Sequence, residues 1–144
     1  MNMFEVKVDY KTFVEGCDKL KKVKEVYLID AFTFTEAEAT MTKIINDNAT
    51  FMQEASIKSM KPISINEIFR EGDADADDNH KWYKCKILIA EDISSDKKSK
   101  NVMYVLGSSL SDAVSELKKF MSDTIADWDS VAVEETSVNG IIMK

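Results

Sequence analysis

Four glycines, one proline, one histidine and two cysteines occur in 144 residues, and each scarcity removes a kind of chemistry. Gly16, Gly72, Gly107 and Gly140 lie far apart, so no glycine-rich loop can bring several amides onto a phosphate. His80, Cys17 and Cys85 could offer at most three nitrogen or sulfur ligands, with no short paired spacing. No zinc site, and no other cofactor, is therefore expected. His80 shows no sequence sign of a nucleophile–base partnership and reads as a loop residue at the start of a strand. Cys17 sits in a charged connector and Cys85 in a strand pattern, so both are expected reduced and unpaired. No run approaches the roughly 18 apolar residues needed to cross a bilayer. The opening Met1-Asn2-Met3-Phe4-Glu5-Val6 enters a strand pattern directly, without the basic start and apolar run of a signal peptide. A cytoplasmic protein is expected.

Acidic residues exceed basic ones by 26 to 19, giving a net charge of −7. That balance speaks against a general coat for polyanions. Glu71, Asp73, Asp75, Asp77 and Asp78 concentrate the excess in one stretch without Lys or Arg. As a calcium loop starting at Asp73, the stretch would place Asp78 where the turn needs glycine and Lys84 where a bidentate Glu should close the site. A solvated acidic loop is the expectation.

What is present is a pattern that occurs twice. Phe4, Val6, Val8 and Tyr10 alternate with charged residues at the period of a half-buried strand. Val26 to Ile29 forms a second strand, and Thr35-Glu36-Ala37-Glu38 has the spacing of a helix cap. Ala37, Met41, Ile44 and Ile45 make an apolar helical stripe, and a weaker strand follows around Phe51 to Met60. The second half replays the order. Tyr83, Cys85, Ile87 and Ile89 alternate, and the connector 92–98 leads to the strand Val102–Leu106. Ser111 is expected to cap a helix carrying Ala113, Leu117, Phe120 and Met121, and Ser130–Val133 closes the unit. An offset of 76 residues relates the two middles: Tyr27-Leu28-Ile29 falls on Met103-Tyr104-Val105, and Ile44-Ile45 on Phe120-Met121. The fold expected is α+β, with duplicated β-β-α-β units, antiparallel-rich sheets and two packed helices. One domain, 1–144, would hold repeats at about 3–60 and 81–137 joined by 61–80. In that joint Pro62, Ile63, Ile65, Ile68 and Phe69 anchor the chain before the acidic stretch.

The candidate surface follows from strand parity. Residues 83, 85, 87 and 89 supply the inward set, so Trp82, Lys84, Lys86 and Leu88 should share the opposite face, with Tyr104 on the neighbouring strand. No constellation in the sequence points to a catalytic site, although a site can assemble from distant positions. A non-catalytic binding or assembly protein that contacts another protein is the first reading. A single-stranded nucleic-acid binder, stacking bases on aromatics beside Lys84 and Lys86, is the alternative. Trp82 and Leu88 would also expose enough apolar area to pair two copies, so a homodimer through this face is expected.

Three segments carry a resemblance: the opening Met-Asn-x-Phe-Glu-Val-Lys-Val; Val26-Tyr27-Leu28-Ile29-Asp30-Ala31 with Phe34-Thr35-Glu36-Ala37-Glu38-Ala39; and Trp82-Tyr83-Lys84-Cys85-Lys86. Together they resemble an uncharacterised family, domain of unknown function 4494, of Bacteroides-type bacteria and their phages. The longer acidic stretch at 71–79 is this chain's departure. The resemblance implies a fold and a bacterial host cell. It also implies a phage or mobile-element accessory factor, of a kind that binds a host or phage protein or acts around nucleic acid; on the residues themselves nucleic acid is the less favoured partner and no membrane is expected. It brings no established activity.

Overall fold

Strand β1 (Asn2–Thr12) buries Phe4, Val6 and Val8 on one face. It pairs antiparallel with β2 (Lys21–Asp30), Met3 facing Asp30 and Thr12 facing Lys21. Helix α1 (Phe34–Asp47) lays Ala37 and Met41 on that face, with Ile44 and Ile45 partly buried beside them. Strand β3 (Gln53–Ser64) flanks β1 at the edge of the sheet. An edge strand can hold Pro62, whose missing N–H need serve no further neighbour.

These elements belong to a computed structural model that describes residues 2–16, 18–91, 97–124 and 126–143. The chain continues through β4 (Glu67–Phe69), β5 (Lys81–Ala90), β6 (Lys98–Gly107), α2 (Leu110–Phe120), β7 (Trp128–Glu135) and β8 (Val138–Ile142). The fold is α+β, with the strands in two four-stranded sheets ordered β3-β1-β2-β8 and β4-β6-β5-β7. β5 pairs antiparallel with both β6 and β7, and β4 runs parallel to β6. Cys85, Ile87, Met103 and Val105 of this sheet pack with Leu117 of α2 and with Met121 at its end. Phe120, expected in this core, is only partly buried; its ring stacks on Phe69 at 4.5 Å between centroids.

The β-β-α-β order occurs in both halves. From its second residue β1 buries Met3, Phe4, Val6 and Val8, and β5 buries Trp82, Tyr83, Cys85 and Ile87 in the same rhythm. The helices start at Phe34 and Leu110, 76 residues apart, and Ala37 and Met41 stand where Ala113 and Leu117 do. The caps, Thr33 and Ser109, each lie two residues before the expected Thr35 and Ser111. Thr33 Oγ1 accepts from Glu36 N at 3.1 Å, and Ser109 Oγ accepts from Asp112 N at the same distance. The third carboxylate reaches back in each case, Glu36 to Phe32 N and Asp112 to Ser108 N. Thr33-x-x-Glu36, rather than Thr35-x-x-Glu38, is therefore the box that forms.

By backbone contacts the chain divides into two compact units, one of residues 2–63 with 140–144 and one of 64–139. The expected joint at 61–80 supplies the end of β3 and all of β4. Both fourth strands, β4 and β8, went unforeseen. Three and five residues are too short for a period of two to stand out. Cys17, and Asp92–Asp96 of the expected connector, lie outside the described residues. Cys85 is free and buried, and desolvation pushes its thiol up to about 11.

Candidate functional site

Helix α2 covers one face of the second sheet. The other face carries Lys84, Lys86 and Leu88 of β5, which stand opposite Tyr104, Val102 and Lys100 of β6. On the other side the register with β7 slips between Lys86 and Ile87, whose partners are Ala132 and Ser130. Val131 is the extra residue of that bulge, and its side chain is 60% exposed. A bulge re-aims a side chain that regular pairing would have sent elsewhere. Here Val131 joins Leu88 and Val102 around a groove of about 310 Å³, with Lys86, Lys100 and Asn101 also at its walls. An ion pair of Lys98 with Asp129, at 2.8 Å, lies at one end of the face. At the other end Glu134 stands opposite Lys84.

Of the five residues expected on this face, the structure brings Lys84, Lys86 and Leu88 together there and removes Trp82 and Tyr104 from solvent. Trp82 is fully buried and Tyr104 is 5% exposed. A buried indole N–H needs an acceptor, and Trp82 Nε1 donates to Asp75 Oδ1 at 2.6 Å. The Arg70 guanidinium lies 5.9 Å from the centre of the Trp82 ring and 3.7 Å from Asp75. Thr136 donates to the Trp82 carbonyl through both its amide and its hydroxyl. Parity could not show that the acidic stretch returns to Trp82 and accepts its N–H. The expectation of a wholly solvated loop is corrected in the same way: Asp75 is committed to the indole, while Glu71, Asp73 and Asp78 remain exposed.

A second concavity, of about 270 Å³, is lined by Arg70, Asp75, Asp77, His80, Asp112 and Phe120 among others. His80 Nδ1 lies 3.1 Å from Asp77 Oδ1, both side chains about half exposed. The Asn79 amide, and then His80, hold the Asp77 carboxyl below its ordinary range. The Ser108 amide does the same for Asp112. Where two carboxyls share a proton, one of them is driven up; Asp77 and Asp112 are both driven down. No Ser, Thr or Cys is among the residues lining this concavity. Asp77 and Asp112 accept hydrogen bonds from the loop and from the helix start, which is a structural task. In the first unit Glu25 accepts from Tyr27 at 3.1 Å and also from Tyr10. Burial, followed by that bond, pushes the Tyr10 hydroxyl up. Sequence reading missed this cluster, since alternation marks Tyr10 as apolar and says nothing of its hydroxyl.

Among the described residues no group of three or more His, Cys, Asp or Glu is placed to hold a metal ion. No helix among them is long and apolar enough to cross a membrane. The family model described as "Domain of unknown function (DUF4494)" matches residues 2–144. No curated protein and no solved structure matches the chain.

Proposed function

Since the chain belongs to the DUF4494 family, whose description assigns no activity, we propose from its surface that it is a non-catalytic binding protein. It contacts another protein through the outer face of its second sheet, and an accessory role in a phage or mobile element fits such a part. The observation that carries this reading is the groove of Leu88, Val102 and Val131, aliphatic side chains left accessible on a sheet face and lined by lysines. Apolar surface left uncovered among polar residues is characteristic of contact sites. The nucleic-acid alternative loses its main support, because Trp82 and Tyr104 are buried and cannot stack bases. Pairing of two copies would likewise rest on Leu88 and Val131 without Trp82.

Affinity capture from the native bacterial host tests the reading, using the full chain and the double variant Leu88→Asp, Val131→Asp, each with and without nuclease. The expected result is a protein recovered by the parent chain, lost with the double variant and indifferent to nuclease. Recovery that nuclease abolishes, or that the double variant leaves unchanged, overturns it. Light scattering on the same two samples reports whether the face pairs copies of the chain.

A further inference from the structure

Resting on that reading, we infer that the partner presents a short acidic segment with an aliphatic anchor, and that the groove on the outer face of the second sheet is its seat. The first support is charge. The chain carries −7 overall, yet Lys86 and Lys100 both face one aliphatic groove. Among the described residues neither reaches a carboxylate, whereas Lys98 beside them is held by Asp129. Lys84 is a lesser contributor, because Glu134 stands opposite it on β7. Two cations without a carboxylate partner among the described residues, on an acidic protein, favour an anionic partner by attraction and disfavour a basic one by repulsion.

Spacing is the second support. Lys86 faces Val102, and Leu88 faces Lys100, so the two lysines are diagonal neighbours with Cα atoms roughly 7–8 Å apart. An extended chain repeats its same-side residues every ~6.6–6.8 Å. Two carboxylates in positions i and i+2 of a partner segment can therefore meet both ammonium groups. Between the lysines, Val102 and Leu88 form the floor, and Val131 of the bulge overhangs it as one wall. That floor accepts a Leu, Ile or Val from the partner. The lysine stems add apolar contact while their charges stay in water. The same lysines would attract the phosphates of a nucleic acid. However, no aromatic side chain lines the groove, and base stacking supplies much of the affinity for a single strand. An acidic peptide uses both halves of the surface, whereas a nucleic acid uses only the charges.

The test measures anisotropy of labelled probes with the full chain at low salt. The probes are a short synthetic peptide of Asp, Glu, Leu and Val, a version with Lys for the acids, a version with Ser for the aliphatics, and oligodeoxythymidine. The first peptide is expected to bind saturably and at least about tenfold better than either altered version. Lys86→Glu with Lys100→Glu should cost about tenfold and should allow the Lys-containing peptide to bind instead. Circular dichroism checks that this surface variant folds. Equal binding of acidic and basic peptides, tighter binding of oligodeoxythymidine, or no peptide binding overturns the inference. Pairing of two copies that blocks the peptide, and that Leu88→Asp abolishes, assigns the groove to a second copy and overturns it too. The double lysine variant also separates the two levels. If a captured partner depends on Leu88 and Val131 but is indifferent to Lys86 and Lys100, the acidic segment fails while the contact face stands.

Discussion

The outer faces of the two sheets are built on one plan and differ at two of three rows. In the first sheet Lys7 stands opposite Val26, and in the second Lys86 stands opposite Val102. The next row changes from Asp9–Lys24 to Leu88–Lys100, and the preceding one from Glu5–Leu28 to Lys84–Tyr104. The first face thus carries acids where the second carries Leu88 and Lys84. Inner faces diverge far less. Phe4, Val6 and Val8 under α1 correspond to Tyr83, Cys85 and Ile87 in the second sheet, apolar at every position. A helix must cover the inner face, so packing restricts what can stand there. On the outer face Leu28 and Tyr104 are buried as well, so packing restricts that row too, whereas Leu88 and Lys100 stay accessible and are free to serve binding.

If the halves share one core plan, equivalent truncations should be equivalently costly. Leu117 and Met41 occupy the same turn of α2 and α1 and are both fully buried. Leu117→Ala and Met41→Ala should each cost about 2–5 kcal/mol through lost transfer energy and the cavity left behind. Urea unfolding measures both. A cost below about 1 kcal/mol at either site, against that range, would break the equivalence of the cores.

The strand-to-helix turns sharpen the comparison through one residue. Gly107 lacks a positive φ, so its identity is not a matter of backbone conformation. A Cβ there would lie 3.0 Å from both Cα and N of Ala113, backbone atoms that cannot swing aside. Ala31 holds the same place in the first unit, 76 residues earlier, and is buried with its methyl group. Gly107→Ala should therefore push α2 from its sheet at roughly 1–3 kcal/mol. Ala31→Gly should cost only about 0.5–1 kcal/mol. A neutral Gly107→Ala would mean that α2 sits no closer to its sheet than α1 does.

Much of this was legible in the sequence for a definable reason. Alternation over ten residues in β1 and β5, and the helical stripes of Ala37–Met41 and Ala113–Leu117, are long enough for periodicity to decide the element. What was missed depends on contacts that periodicity does not encode. Trp82 reads as a surface anchor until Asp75, seven residues earlier, is seen to accept its indole N–H. Val131 reads as an ordinary strand residue, because a bulge adds one residue without altering local composition. The groove thus joins two residues found by parity, Lys86 and Leu88, to a wall that only the pairing register reveals.

Smaller effects attach to the caps. Thr33→Ala and Ser109→Ala each remove a side-chain acceptor from the third helical amide, and each should cost about 1 kcal/mol, within the usual 0.5–2. The two values should agree to within about 0.5 kcal/mol, the scatter of additive local effects. Hydrogen exchange at Glu36 and Asp112 amides reports the loss locally. Unchanged protection at either amide would show that cap to be idle.

The smallest effect concerns the charge behind the second cap. Asp112 accepts from the Ser108 amide at 2.8 Å, and this bond, ahead of the attraction of His80, lowers its carboxyl below the ordinary 3.8. A folded value below the unfolded one means that the stabilisation is complete above the unfolded value. It is lost as the pH falls through the folded value, because the unfolded chain takes up the proton first. The carboxylate is exposed, so solvent screens most of the benefit. A carbon-detected titration should therefore place the Asp112 inflection below 3.8. Asp112→Asn should flatten the acid limb of the stability curve between about pH 4 and the folded value. His80→Gln should move the inflection up only in part, because the amide bond, the larger cause, remains. An inflection at or above the ordinary carboxyl value would mean that Asp112 does not hold the Ser108 amide in solution. The second helix would then be capped by Ser109 alone, and the likeness between the two helix starts would end at the hydroxyl.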